Sequence, residues 1–152
     1  MTRFDPAAFV WSPMVPELLV SDIKESLGFW CGVLGFAVVY DRPEQGFAYL
    51  HRDGAQLMLC ARSGEWETAP LERPFGRGVN LQVTVTSIAA ILAALKTAGI
   101  DLFEQPAEKW RRTGDGWTCC REFLVQDPDG YLVRLLEPLG TSPDGQNRRS
   151  TE

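Results

Sequence analysis

The residues best equipped to act on another molecule in this chain are aromatic. Trp66, Trp110 and Trp117 fall in segments that read as loops, and Phe47 and Tyr49 alternate to one side of a strand. A single aromatic usually packs into a core, which is the expectation for Trp30 and Phe36. Tryptophans in loop-like positions are different, because loops surface and carry function. Their flat faces suit stacking on a heteroaromatic ring or a cation. Acids gather in the same stretch of sequence. Between Asp41 and Glu72 stand Asp41, Glu44, Asp53, Glu65, Glu67 and Glu72 against Arg42, Arg52 and Arg62. Glu44, Glu65 and Glu67 are therefore candidates to attract a ligand's positive charge. Arg111-Arg112, next to Trp110, departs from that acidic character.

Catalytic sets are thin. His51 is the only histidine, so any Ser-His or Cys-His system must use it, and it lies two residues before a turn on a surface strand. Cys119-Cys120 are adjacent, a spacing that pairs only with strain, and no basic partner marks a low-pKa thiolate. Glu137 reads as a solvated strand end. Phe75-Gly76-Arg77-Gly78 is short and precedes a strand, so it is not a phosphate loop. The 152 residues suffice for one domain with its own core, and 45% apolar with 23% charged residues is ordinary for a globular protein. A net charge of −5 disfavours nucleic acid. No apolar run approaches a membrane span, and no basic-then-apolar leader is visible, so the expected address is the cytoplasm. The four cysteines read as reduced thiols.

The elements that must position these residues occur twice. Val15-Pro16-Glu17-Leu18-Leu19-Val20-Ser21-Asp22-Ile23 leads into an apolar-periodic stretch ending Leu34-Gly35-Phe36, and Asn80-Leu81-Gln82-Val83-Thr84-Val85-Thr86-Ser87-Ile88 leads into one ending Ala98-Gly99-Ile100. Two copies are too few for a solenoid, so they imply a domain built from two similar halves. In the first, a strand at 15–20 precedes a helix capped by Asp22, with Ile23, Leu27, Trp30 and Leu34 on one stripe. Strands follow at 36–40, 47–51 and 56–61, the last two joined by the hairpin turn Asp53-Gly54. Pro70 to Gly78 reads as a linker. The second copy predicts a strand at 80–85, a helix at 88–98 capped by Ser87 and buried through Ile88, Ile91, Leu92 and Leu95, and strands at 102–105, 120–126 and 131–137. Asp127-Pro128-Asp129-Gly130 supplies the last turn. Residues 1–12 form an arm carrying Phe9, Val10 and Trp11, and residues 141–152 a disordered tail. Each half is thus β-α-β-β-β, an α+β arrangement in one domain over 13–140, with modules at about 13–62 and 78–138.

Val15-Pro16-Glu17-Leu18, Phe29-Trp30-x-x-x-Leu34-Gly35-Phe36 and Arg121-Glu122-Phe123-x-x-x-Asp127-Pro128-Asp129-Gly130 resemble the vicinal oxygen chelate superfamily of glyoxalase I, extradiol dioxygenases, and fosfomycin- and bleomycin-resistance proteins. Among these the chain is most similar to the bleomycin-resistance proteins. The resemblance spans roughly residues 14–138. It implies paired βαβββ modules in curved mixed sheets and a homodimer with exchanged N-terminal arms, ligand lying in clefts between subunits. The superfamily's enzymes hold a divalent ion on four strand positions, which fall here on Val15, Gln56, Asn80 and Arg134. Val15 has no donor, Arg134 is a permanent cation, and two amides make a poor transition-metal site. Pro16 offers nothing one residue along, which leaves Glu17 as the nearby candidate. The expectation is therefore no metal, no cofactor and no catalysis. Phe47, Tyr49, Trp66, Trp110, Trp117, Glu44, Gln56 and Asn80 would line a site that sequesters a planar, cationic antibiotic of the bleomycin type. The alternatives are a glyoxalase- or dioxygenase-type metalloenzyme, or a binder of another small metabolite.

Overall fold

The computed structural model describes residues 4–144. The chain forms two compact units, one running to Arg77 and taking in Asp127–Tyr131, the other made of Gly78–Gln126 with the chain from Leu132 onward. Each contains a strand, a helix and three strands in a four-stranded mixed sheet, as the repeated sequence predicts.

In the first unit β1 (Glu17–Val20) leads to α1 (Ile23–Leu27), a π-helical extension over Gly28–Val33, then β2 (Ala37–Arg42), β3 (Phe47–Arg52) and β4 (Ala55–Ala61). The strand order is β1-β4-β3-β2, with β1 parallel to β4. The Asp22 carboxylate accepts from the amides of Lys24 (2.8 Å) and Glu25 (3.1 Å), satisfying two donors that a helix start leaves unpaired. The widened extension, in which the Leu34 amide donates to the Phe29 carbonyl, keeps Trp30 and Leu34 fully buried. At the hairpin both Asp53 (φ 47°) and Gly54 (φ 90°) adopt positive φ, as a tight two-residue loop requires. Strand alternation then separates two faces. Leu18, Val20, Leu50, Leu57 and Leu59 are buried on one; Glu17, Leu19, Arg42, Phe47, Tyr49, Met58 and Cys60 share the other by register.

The Pro70–Gly78 stretch, expected as a linker, contributes to this unit's core. Phe75 is buried and meets Tyr131 edge-on, ring centroids 6.0 Å apart. The Asp127–Gly130 turn closes against the same region. Asp127 accepts from the Trp30 indole (3.2 Å) and the Tyr131 amide (2.9 Å), while Asp129 accepts from the Ser21 amide (2.8 Å) and Arg73 (3.0 Å). Gly130 is at φ 96°, and a Cβ there would lie 2.5 Å from that of Pro74. Only glycine fits.

The second unit holds β5 (Asn80–Thr84), α2 (Ala89–Thr97), β6 (Leu102–Thr113), β7 (Gly116–Gln126) and β8 (Leu132–Ser142), in the order β5-β8-β7-β6. Ile88, Ile91 and Leu95 are buried as expected, and Leu92 is half-buried. Ser87 accepts from the Ala89 amide (3.3 Å), and Glu137 accepts from the Ile88 amide (2.9 Å). Glu137 is therefore not a solvated strand end but a partner of the helix start. β6 and β7 extend well beyond their expected ends and pair continuously, Trp110 opposite Cys119 and Arg112 opposite Trp117. Both tryptophans thus lie on strands, not loops. Charge and Pro106 obscure period-two alternation in β6, and a register shift between Glu104 and Ala107 accommodates that proline. Thr141 and Ser142 complete β8, so the tail begins later than expected; 145–152 lie outside the described residues. Among the described residues no helix is long and apolar enough to cross a membrane.

Candidate functional site

On the first sheet the open face is divided by the N-terminal arm. Trp11 packs edge-on against Tyr49 (5.2 Å between centroids) and Phe9 (4.7 Å), and Phe4 stacks on Tyr40 (6.2 Å). Gln56 ties the arm down: its amide donates to the Val10 carbonyl (2.7 Å) and its oxygen accepts from the Ser12 amide (2.9 Å) and the Tyr49 hydroxyl (2.6 Å). Tyr49 and Gln56 are therefore engaged by the chain's own arm and do not line the open cavity. Burial pushes the Tyr49 phenol up, with the nearby Tyr40 adding to it.

Beyond the arm the face opens into a cavity of about 200 Å³. Phe47 and Leu19 form its apolar floor with Cys60; Glu17, Glu65, Arg42, Gln45, Ser63 and Trp66 complete it. Two carboxylates face one guanidinium. Arg42 lies over the Phe47 ring, 3.8 Å from its centroid, and donates to Gln45 (2.7 Å). That ring thus already receives a planar cation. Trp66 stands at the rim, 81% exposed, with φ 60°, a left-handed conformation uncommon outside glycine and costing about 1 kcal/mol or more. Such an outlier is held where the local structure over-determines it. Of the expected acids, Glu65 lines this cavity, Glu67 is paired with Arg62 (3.1 Å), and Glu44 is exposed in the turn before β3 and does not line it. Burial raises the Cys60 thiol, reinforced by Glu17, so it is a poor nucleophile.

The second sheet's corresponding face is ionic. Glu122 is 1% exposed and holds Arg111 through both oxygens (2.5 and 2.9 Å), Lys109 at 3.2 Å and Arg134 at 3.9 Å. Lys109 also pairs with Glu104. Burial alone would raise the Glu122 carboxyl, but hydrogen bonds from Arg111 and Lys109 outweigh it and hold it at about 2. A cavity of about 440 Å³ opens beside this cluster, lined by Gln82, Arg111, Arg112, Arg134 and three threonines among others. Asn80 is exposed at the start of β5, and neither it nor Trp110 nor Trp117 lines that cavity. The expected aromatic set is thus dispersed: of its members only Phe47 and Trp66 come together, joined by Glu17, Arg42 and Cys60. Period-two counting could have found Glu17 and Leu19. The lone acid within the apolar run Cys119–Val125 was the signal for Glu122.

The donor positions carried over for a metal do not fit one. The Gln56 oxygen already accepts two hydrogen bonds, and Arg134, a permanent cation, lies 3.9 Å from the Glu122 carboxylate. Val15 has no donor atom. Among the described residues no three His, Cys, Asp or Glu side chains gather as an ion would require.

The sequence profile of the Glyoxalase/Bleomycin resistance protein/Dioxygenase superfamily matches residues 12–135. A bleomycin resistance protein of Geobacillus stearothermophilus is 31% identical over 134 residues, covering 82% of this chain and 96% of that protein. Among solved structures, TioX from Micromonospora sp. ML1 is similar at a TM-score of 0.62 and 25% identity, over 85% of this chain and 100% of that one. TnmS3, an antibiotic binding protein from Streptomyces sp. CB03234, shares the fold at a TM-score of 0.57 and 21% identity, over 86% and 99%.

Proposed function

From its membership of the Glyoxalase/Bleomycin resistance protein/Dioxygenase superfamily, to which this chain belongs, we propose that the protein binds a planar, cationic antibiotic of the bleomycin type and sequesters it unchanged. The bleomycin resistance relative covers nearly all of its own length against this chain, which supports a shared role for the whole protein. The observation that carries the reading is the first-sheet cavity: Phe47 beneath a guanidinium, Trp66 held exposed at the rim, and Glu17 with Glu65 beside them. Flat cationic ring systems are what such a surface accepts. At about 200 Å³ it is smaller than the roughly 300–1,000 Å³ of drug-sized pockets, so it takes a ring-sized portion of a ligand. The rest of the molecule extends into a cleft completed by a second subunit, in a homodimer. No metal or catalytic residue is needed for this task.

Titration with bleomycin, followed by tryptophan fluorescence and calorimetry, tests the reading. Saturable binding is expected, weakened about fivefold or more by Trp66→Ala and by Phe47→Leu, since stacked contacts of this kind are worth about 1 kcal/mol each. Mass spectrometry should recover the drug intact. Absence of binding, or a changed drug mass, would overturn the proposal. Sedimentation of a chain lacking residues 1–12 reports separately on the dimer and its arm.

A further inference from the structure

The floor of the first-sheet cavity is one row running across the sheet. Leu19 pairs with Cys60, Cys60 with Phe47 and Phe47 with Arg42, so Arg42 stands on the edge strand β2 as the immediate neighbour of the ring it covers. Phe47 lines the cavity yet is buried, with the guanidinium over it, 3.8 Å from the centroid. Arg42 itself is exposed, and its polar contact is one hydrogen bond from Nε to the Gln45 side-chain oxygen (2.7 Å). Among the described residues no carboxylate forms an ion pair with it. Glu17 lies on β1, the opposite edge of the sheet, three strand spacings from β2 and so roughly 14 Å away at the backbone. With Glu65 it places two carboxylates at the cavity against one cation. All three charges act on the Cys60 thiol between them: burial raises it most, Glu17 and Glu65 add to that, and Arg42 opposes them. A planar cation is thus seated on an aromatic floor in a cavity of negative net charge, tethered by its own backbone and one neutral hydrogen bond. From an edge strand it can swing into solvent and keep its charge hydrated.

We propose that this floor is a recognition site for a planar guanidinium or amidinium group of a ligand, with Arg42 as its displaceable internal occupant. The inference rests on the reading of this cavity as the antibiotic site and names the cation it takes. A ligand stacking on Phe47 must take the guanidinium's place, which favours flat cations able to meet Glu17 or Glu65 over neutral rings and compact ammonium groups. Benzamidine hydrochloride, a ring-sized amidinium, and benzamide, its neutral near-isostere, serve as probes. Each is titrated into the full chain by calorimetry, with arginine Nε–H signals followed in ¹H–¹⁵N spectra. Benzamidinium should bind Arg42→Ala at least about fivefold more tightly than the wild type, and benzamide should bind R42A at least about threefold more weakly than benzamidinium does. In the wild type the Arg42 Nε–H signal should move with saturation as the guanidinium leaves the ring. Adding Phe47→Leu to R42A should remove most of the gain, because the ring is the seat. A gain retained in R42A/F47L is what loss of a positive charge alone would give, and it overturns the proposal. So do an unmoved Arg42 signal, equal or weaker benzamidinium binding to R42A, or binding to neither protein. Should R42A lose its dispersed spectrum, R42Q decides by the same criterion. Bleomycin titration separates the two readings. A benzamidinium gain with no bleomycin binding to either protein sinks the antibiotic reading alone, and bleomycin binding without a benzamidinium gain sinks this one alone.

Discussion

On the first sheet Phe47 lies opposite Cys60, which pairs with Leu19; on the second, Glu122 lies opposite Leu136, which pairs with Thr84. These are the same places in the repeated topology. One is filled by an aromatic ring under a guanidinium, the other by a carboxylate grasped by Arg111 and Lys109. Both solutions satisfy a cation on an open sheet face, one through a ring quadrupole and one through charge. Their costs differ. An aromatic can be buried alone, whereas a buried carboxylate needs its partners, so the ionic face is strongly coupled and the aromatic face is free to exchange its cation for a ligand's. Duplicated backbones thus leave the chemistry of each face to individual side chains.

The comparison can be broken most forcefully at Glu122. Replacing it with Leu strands Arg111 and Lys109 and should cost about 3 kcal/mol in urea unfolding at pH 7, while Phe47→Leu at the equivalent place should cost under about 1.5 kcal/mol. Equal losses would mean the two faces are energetically alike. Acid sharpens the same contrast. The Glu122 carboxyl is lower when folded than its ordinary 4.5, so its contribution is complete above that pH and fades as pH falls towards about 2. The wild type should lose up to about 3 kcal/mol on this account between pH 5 and pH 2. E122L should shed correspondingly less, and parallel acid limbs for both proteins would refute the ionic account.

Smaller effects test the first face. Trp11→Ala removes edge-on contacts with Tyr49 and Phe9 and should lower stability by about 1–2 kcal/mol in thermal melts; no change would mean the arm is not bound to its own sheet in solution. Trp66→Ala should shift stability by less than about 0.5 kcal/mol, because the ring is exposed. A larger loss would show that Trp66 supports the fold and is not held out for a ligand.

Much of the backbone was readable from local patterns. The β-α-β-β-β order, the Asp22 cap, the Asp53-Gly54 hairpin and the buried Trp30–Leu34 stripe each follow from short-range rules that neighbouring residues satisfy together. β6 was readable only at its start, 102–105; beyond it Pro106 and the charged Glu108–Arg112 stretch show no apolar alternation, and the extended shape there comes from pairing with β7. The site was legible in type but not in membership. Flat aromatics beside acids pointed to the cavity, yet Tyr49 and Gln56 were taken by the arm, and Trp110 and Trp117 went to another sheet.

What residue order alone determined is the repeated topology and the inventory of side chains, because turn chemistry, capping and period are properties of short segments. Which side chains meet is a matter of strand register and of what covers each face. Register brings Phe47 under Arg42 and Glu122 under Arg111, through contacts between strands that no local window contains. The two open faces acquire their opposite chemistry only at that level, since a single residue of slip would turn every one of these groups to the other side of its sheet.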